Sequence, residues 1–432
     1  MISMTGWSTG SHPDNTEGRI MYVSQPGDRS GESRVHSILT PERVVVYSVA
    51  ILVLYAVFLV TWARASNGFT AGDFTKPGID FSVFWSASYA MLHGPAWQVY
   101  DFTAFDKIEE TLFHFPRGSY LPWLYPPTFL VLVKPLALVP PVVAYFLFVG
   151  VSALLFVFAT LSVSRLASSL GSSRLGWLLV AACPCVFVPA VFGQNSLLTA
   201  ALAALAVHWI ARHPARAGLC IGLLAIKPQM ALLLPFVLIA ARAWRTFGFA
   251  VLSASLFGAL SVLICGAQSM PLFLVSTRLA RELILEHGRH YWLSSPTTFA
   301  VLREGGVPLA PAYAAQACVA LIAVVAACHI WRFTRDARLR GASLAVATLL
   351  ASPYVWHYEL AWLGIAVTCL TAIGFDKGWR RGEQTVLVLA WLLPAYEFFN
   401  RVTELPQIGP VVLLLMLLLI LRRARIAEEV TS

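Results

Sequence analysis

Apolar runs of bilayer-spanning length recur from Val44 to the C-terminus, and none alternates apolar and polar residues as a half-buried strand does. Inside lipid the backbone must satisfy its own hydrogen bonds, so such runs predict helices and not a barrel. The first expected span is 44–62. The runs 143–164, 196–211, 229–241, 312–331, 357–375 and 408–421 follow, each with arginine or lysine just beyond its end. Three further apolar segments, 126–139, 217–226 and 341–351, fall below the ~20 residues that a straight span needs. They read as broken or re-entrant helices. As a true span, 126–139 would force Arg165 and Arg174 to the outer side; as a re-entrant hairpin it leaves the charge rule intact. The pattern predicts an all-α polytopic bundle of ten to twelve helices. In the long connection 64–124, residues 82–93 and 103–113 read as amphipathic helices lying at the membrane surface.

Composition agrees with this. The 432 residues are 58% hydrophobic and 12% charged, about half the charge of an average soluble domain. The polar segment 1–42, rich in Ser, Gly, Pro and Arg, lacks the apolar centre of a signal peptide and is expected to be a disordered cytoplasmic tail. A membrane domain over 43–423, with external loops 64–124 and 267–311, and a second cytoplasmic tail at 424–432 complete the expected layout. The net charge of +9 reflects basic residues at cytoplasmic helix ends and gives no sign of nucleic-acid binding. The seven cysteines all lie in apolar runs without metal-ligand spacing, and read as small packing residues.

If the basic helix ends are cytoplasmic, the opposite turns face outward together. They hold Asp80, Tyr125-Pro126-Pro127, Gly193-Gln194-Asn195, Lys227-Pro228-Gln229, the 267–311 loop and the turn 352–359. Polar groups at membrane depth are costly and mark a site or a pathway. Asp80 has two readings. An aspartate ahead of a helical pattern is a good N-cap. A carboxylate at the membrane surface also suits a general base that takes the proton of a sugar hydroxyl attacking an anomeric carbon.

Asp80-Phe81, Ala87, Ala90, Leu92, Gly94, Tyr100-Asp101, Tyr125-Pro126-Pro127, Gly193-Gln194-Asn195-Ser196, Lys227-Pro228-Gln229 and Ser352-Pro353 with Trp356 and His357 occur in an order and spacing that resemble the family 87 glycosyltransferases. That family includes polyprenyl-phosphate-mannose-dependent mannosyltransferases. The resemblance spans about 44–400. It implies a GT-C-type fold, a lipid-linked sugar donor, Asp80 as catalytic base, and His357 near the donor phosphate. Lys227 is a second candidate for that phosphate, since cations there would stabilise the departing lipid phosphate. Arg281, Arg289 or His290 in the 267–311 loop are further candidates, although Arg278, Glu282 and Glu286 at helical spacing also describe a solvated face. Gln194 and Asn195 suit sugar hydroxyls or, equally, a satisfied turn. Tyr125 joins them as a substrate-binding candidate, with its two prolines fixing how the next segment leaves the loop. The chain departs from the family at Ser294-Ser295-Pro296-Thr297, where many members carry Asn-Gln-Ser.

No dinucleotide fingerprint, Walker motif, Asp-x-Asp pair or His/Cys cluster is present. A nucleotide-sugar donor, a cofactor and a metal are therefore not expected. The resulting expectation is an inverting hexosyltransferase of the bacterial inner membrane with its site on the periplasmic face. It would move a hexose, mannose foremost, from a polyprenyl-phosphate donor to a lipid or glycan acceptor. A flippase of lipid-linked sugars, a glycan ligase and a non-catalytic scaffold are the competing classes.

Overall fold

The computed structural model describes residues 41–70, 76–114 and 121–429. The expected tail 1–42 lies outside the described residues except for Pro41 and Glu42, which begin the first helix. Among the described residues every regular element is helical. The protein is an all-α, multi-pass membrane protein.

Helix α1 (Pro41–Ala65) supplies the first span. The connection after it folds into α2 (Ile79–His93) and α3 (Phe102–Phe113). Only one of these is the amphipathic surface helix expected. In α3, Phe105, Glu109 and Phe113 are buried at four-residue intervals, a single inward face. In α2 the consecutive residues Phe81, Ser82, Val83 and Phe84 are all buried, which occupies every face of a helix. Two of its polar residues bond the following segment. Trp85 Nε1 donates to Val139 O at 3.0 Å, and Ser88 Oγ bridges Lys134 O and Ala137 N at 2.7 and 2.8 Å. Thus α2 is a wall of the interior.

The short apolar segments resolve individually. The 126–139 stretch is α4 (Pro127–Val133) with a 3-10 turn at Leu136–Leu138. After α5 (Pro141–Ser164), the chain forms α6 (Ser173–Ala181) and α7 (Pro184–Phe192), bent by 53° between them. The bend falls at Cys183, whose extended ψ of 134° is what a residue before proline adopts. Helices α8 (Ser196–Trp209), α9 (Pro214–Leu223), α10 (Leu234–Ala240), α11 (Trp244–Cys265) and α12 (Ser269–Leu279) follow. Gly218 and Gly222 let α9 lie on α11: a Cβ on either would come within 2.4 Å of Phe249 or 2.3 Å of Ser253. Then come α13 (Leu309–Phe333), α14 (Ala337–Ala351, which contains 341–351), α15 (Ala361–Lys377), α16 (Glu383–Thr403) and α17 (Gly409–Glu429). The expected tail from 424 onward is still helix as far as Glu429.

Five helices are long and apolar enough to cross a membrane alone, or six with the bent pair as one span, against the ten to twelve expected. The difference lies in segments that are short, such as α8 and α9, or that carry charges along their length, such as Glu397 and Arg401 in α16. The span His357–Lys377 is 94% buried, whereas Val45–Ala65 is 6% buried. The core is therefore wrapped around α15, with Trp362 donating to Thr199 of α8 at 3.1 Å.

At one end of this core the basic loop ends converge. Arg338 meets Asp376 at 2.6 Å, Arg422 donates to Arg381 O at 3.3 Å, and Arg423 is paired with Glu383. Glu383 and Arg401 stand at opposite ends of the 21-residue α16, about 27 Å apart at the helical rise.

Candidate active site

Asp80 does not cap its helix. The N-cap of α2 is Gly78, at φ 80°, with no side-chain cap bond. Its own N–H donates to Val191 O at 2.7 Å. A glycine here accepts the left-handed conformation without the Cβ clash, so the helix starts at Ile79, two residues earlier than an Asp80 cap requires. Asp80 stands in the first turn, where the helix dipole favours a negative charge. Its carboxylate turns to a neighbouring element: Oδ2 accepts from Gln194 Nε2 at 2.7 Å.

Gln194 is aimed from both sides. The C-terminus of α7 is held by Tyr145, whose hydroxyl donates to Ala190 O at 2.8 Å. The chain then turns at Gly193, φ 73°, packed so tightly that a Cβ would lie 2.5 Å from Phe81 Cβ. Gln194 Oε1 accepts from the Tyr125 hydroxyl at 3.0 Å and from Asn195 N at 3.3 Å. With its oxygen occupied, the amide nitrogen faces Asp80.

The chain of contacts continues through Asn195. Its Oδ1 accepts from Lys227 Nζ at 3.1 Å, while its buried Nδ2 has no hydrogen-bond partner among the described residues. Lys227 sits between two 3-10 turns, Leu224–Ile226 and Pro228–Met230, and Pro228 keeps it out of helical geometry. Its ammonium is ion-paired with Glu359 and lies 5.7 Å from the Tyr125 ring and 5.4 Å from the Tyr358 ring. Glu359 Oε2 also accepts from Trp356 N at 2.7 Å. Lys227 and Glu359 are both buried.

His357 lies two residues before Glu359. Its backbone N–H donates to Ser294 O at 3.0 Å, and its ring packs 5.0 Å from Phe192 and 6.1 Å from Phe398. It is 2% exposed, and neither ring nitrogen has a hydrogen-bond partner among the described residues. Arg401 closes the rim. Its side chain is exposed, with the guanidinium carbon 5.1 Å from each of the Phe192 and Phe398 rings.

The half-buried Asp80 carboxyl is pushed up to about 6, chiefly by burial. Glu359 adds to the rise, while the Gln194 hydrogen bond and the charges of Arg401 and Lys227 oppose it. Such a group is ionised at neutral pH yet basic enough to accept a proton. Among the described residues only one of its oxygens accepts a hydrogen bond, so the other is available to a hydroxyl.

The structure therefore brings together Asp80, Tyr125, Gln194, Asn195 and Lys227, with His357 beside them. It does not bring Arg281 or Arg289 to this cluster. Arg281 lies 3.4 Å from Glu286 and 3.6 Å from Glu282, and Arg289 3.6 Å from Glu304. Their side chains are 56% and 80% exposed, so each finds an acid locally and keeps its charge in a high-dielectric setting. Two site residues escaped the sequence reading. Glu359 was signalled by being an acid inside an apolar run. Arg401 had no comparable signal, because only folding brings the end of α16 beside α7. No group of three or more metal-ligating side chains occurs among the described residues.

Comparison with known proteins adds a family to this geometry. The model of glycosyltransferase family 87 matches residues 123–353, which hold Tyr125, Gln194, Asn195 and Lys227 and stop before His357 and Glu359. No curated protein and no solved structure matches the chain.

Proposed function

The chain belongs to glycosyltransferase family 87, and from that premise we propose that it is an inverting hexosyltransferase in which Asp80 is the catalytic base. The donor in this reading is a polyprenyl-phosphate hexose, mannose foremost, and the acceptor is a hydroxyl of a lipid-linked or cell-envelope glycan. Asp80 takes the acceptor proton as the acceptor oxygen forms its bond to the anomeric carbon. The bond from that carbon to the phosphate oxygen breaks, its electron pair leaves with the polyprenyl phosphate, and the configuration inverts. The single observation that carries the reading is the Asp80 carboxylate, clamped at 2.7 Å by Gln194 through one oxygen, with no hydrogen bond to the other among the described residues. Clamping fixes the direction of the base, which is worth more in the transition state than in the ground state.

The remaining polar groups suit the substrate. The unpartnered Asn195 Nδ2 is a donor for a sugar hydroxyl, and Tyr125 sits behind Gln194 to hold it in register. A leaving phosphate needs cations rather than a metal in this scheme, and the site contains them. A GT-C-type architecture accords with a site at one end of a helical bundle. The clustering of Arg338, Arg381, Arg422 and Arg423 at the other end supports a cytoplasmic assignment for that end, and hence a periplasmic site in a bacterial inner membrane.

The test uses purified wild type and Asp80→Asn, polyprenyl-phosphate-mannose and a lipid-glycan acceptor extract. Transfer by the wild type and its near-complete loss in the variant, with the helical circular dichroism unchanged, is the expected result. Equal transfer by Asp80→Asn overturns the role of the base. No transfer by the wild type from this donor, with transfer from another lipid-linked sugar, overturns the choice of mannose.

A further inference from the structure

The site contains two cations, and they are in different condition. Lys227 is occupied. It is ion-paired with Glu359, donates to Asn195, and lies between two tyrosine rings. Its charge is matched, and drawing it toward a ligand would leave Glu359 buried and uncompensated. Arg401 makes no salt bridge and no hydrogen bond among the described residues; Asp80 is the acid whose charge acts on it, without an ion-pair contact, and its side chain is exposed. Two phenyl rings hold its guanidinium through their faces. Face contacts use none of its five N–H donors.

The same two rings, Phe192 and Phe398, carry the His357 imidazole. That ring is buried without a hydrogen-bond partner on either nitrogen. A buried polar ring left unpaired is costly, and a native structure keeps one where a ligand completes it. A charged fork and an imidazole thus flank one phenyl pair, each with donors unfilled. Their common complement is an anion with several acceptor oxygens, and the planar fork of arginine matches phosphate in particular.

We propose that Arg401 is the cation of the donor's phosphodiester seat, completing it beside His357, which the family resemblance already places near that phosphate, and that Lys227 is a positioning residue. The proposal rests on the lipid-phosphate donor argued above and assigns the phosphate within it. When the bond between the anomeric carbon and the phosphate oxygen breaks, the electron pair stays on that oxygen and the phosphate gains one negative charge. Arg401 meets the added charge with a fixed positive one. His357 donates one N–H to a phosphate oxygen. Lys227, with Glu359, keeps the Asn195 carboxamide oriented.

Dodecyl phosphate serves as the probe, with dodecanol as its phosphate-free control, against protein in lipid nanodiscs. Arg401→Gln is expected to weaken dodecyl phosphate at least about tenfold, the scale of a lost charge-assisted contact. It raises the donor KM more than it lowers kcat. Arg401→Lys recovers part of the affinity. The double variant Lys227→Met/Glu359→Gln leaves no unmatched buried charge; it keeps dodecyl-phosphate affinity within about threefold of wild type while kcat falls. Equal affinity in Arg401→Gln and wild type overturns the proposal. So does an equal loss in the double variant, or dodecanol binding as well as dodecyl phosphate. The donor reading fails separately. If dodecyl phosphate binds in an Arg401-dependent manner but no sugar is transferred from a polyprenyl-phosphate donor, the anion seat stands and the donor falls. If transfer proceeds undiminished in Arg401→Gln, the seat falls and the donor stands.

Discussion

Two buried ion pairs, one at each end of the bundle, differ in how completely they are made. Lys227–Glu359 and Arg423–Glu383 each have side chains only 5% exposed on both partners. The Arg423 pair is finished. Its Nε donates to Glu383 Oε1 at 2.6 Å, its Nη2 reaches both Oε2 and Gly378 O, and Arg380 N donates to the same carboxylate at 2.9 Å. The Lys227 pair stands beside groups left unfinished among the described residues: Asn195 Nδ2, both His357 nitrogens, and the Asp80 oxygen that Gln194 does not reach. A saturated pair clamps helix ends together. An unsaturated neighbourhood of equal depth is expensive unless something else completes it. The two pairs are equally buried and differ in the hydrogen-bonding capacity left over around them.

That contrast predicts damage of two kinds. The largest expected effect is at Asp80. Asp80→Asn should cost about 10²- to 10⁴-fold in kcat, the usual range for a positioned general base, measured by initial transfer rates on folded protein. A loss below about tenfold would make the carboxylate part of the scaffold. Next comes the finished pair. Glu383→Gln leaves Arg423 unpaired and should cost about 3–5 kcal/mol of stability, read by thermal unfolding in detergent. Transfer per folded molecule should stay at the wild-type level; a kcat that drops with stability unchanged would break the distinction between the ends.

The pH dependence is the third. With its carboxyl at about 6, Asp80 must be ionised to act, so kcat/KM should fall about tenfold per unit below pH 6, a limb absent from any residual activity of Asp80→Asn. The sign for stability is opposite. A folded carboxyl raised above its unfolded value takes up a proton on folding, so its contribution is present at about pH 4 and lost as pH rises through 6. Asp80→Asn should therefore melt higher than wild type at pH 7.5, with the gap closing near pH 4. The smallest effect is at Gln194. Its hydrogen bond holds the Asp80 carboxyl down, so Gln194→Leu should move the acid limb toward neutrality, by roughly one unit. An unmoved limb would mean that the clamp orients without tuning.

Much of the fold was legible because lipid leaves few options: unalternating apolar runs had to be helices. The number of spans was not legible, since α16 mixes Glu397 and Arg401 into an apolar helix and α4 is a seven-residue helix followed by 3-10 structure. The turns bearing Asp80, Gln194, Asn195 and Lys227 were identified by the cost of polar groups at depth. What each side chain does there was not. Of the two readings of Asp80, the cap fails, because the left-handed turn at Gly78 starts the helix first. Arg281 and Arg289 carried the right charge, but their partners lie in their own loop. Arg401 is 321 positions from Asp80 in sequence, and the two are coupled only after α16 packs along α7.

Gly193 gives the site its tolerance. At that residue the turn after α7 and the start of α2 approach so closely that one added carbon would overlap Phe81. Here the absence of a side chain works as a fixed joint: two separate helices meet at a spacing set by atomic radii, and the Asp80 carboxylate and the Gln194 amide, carried on different elements, are held to one distance by it.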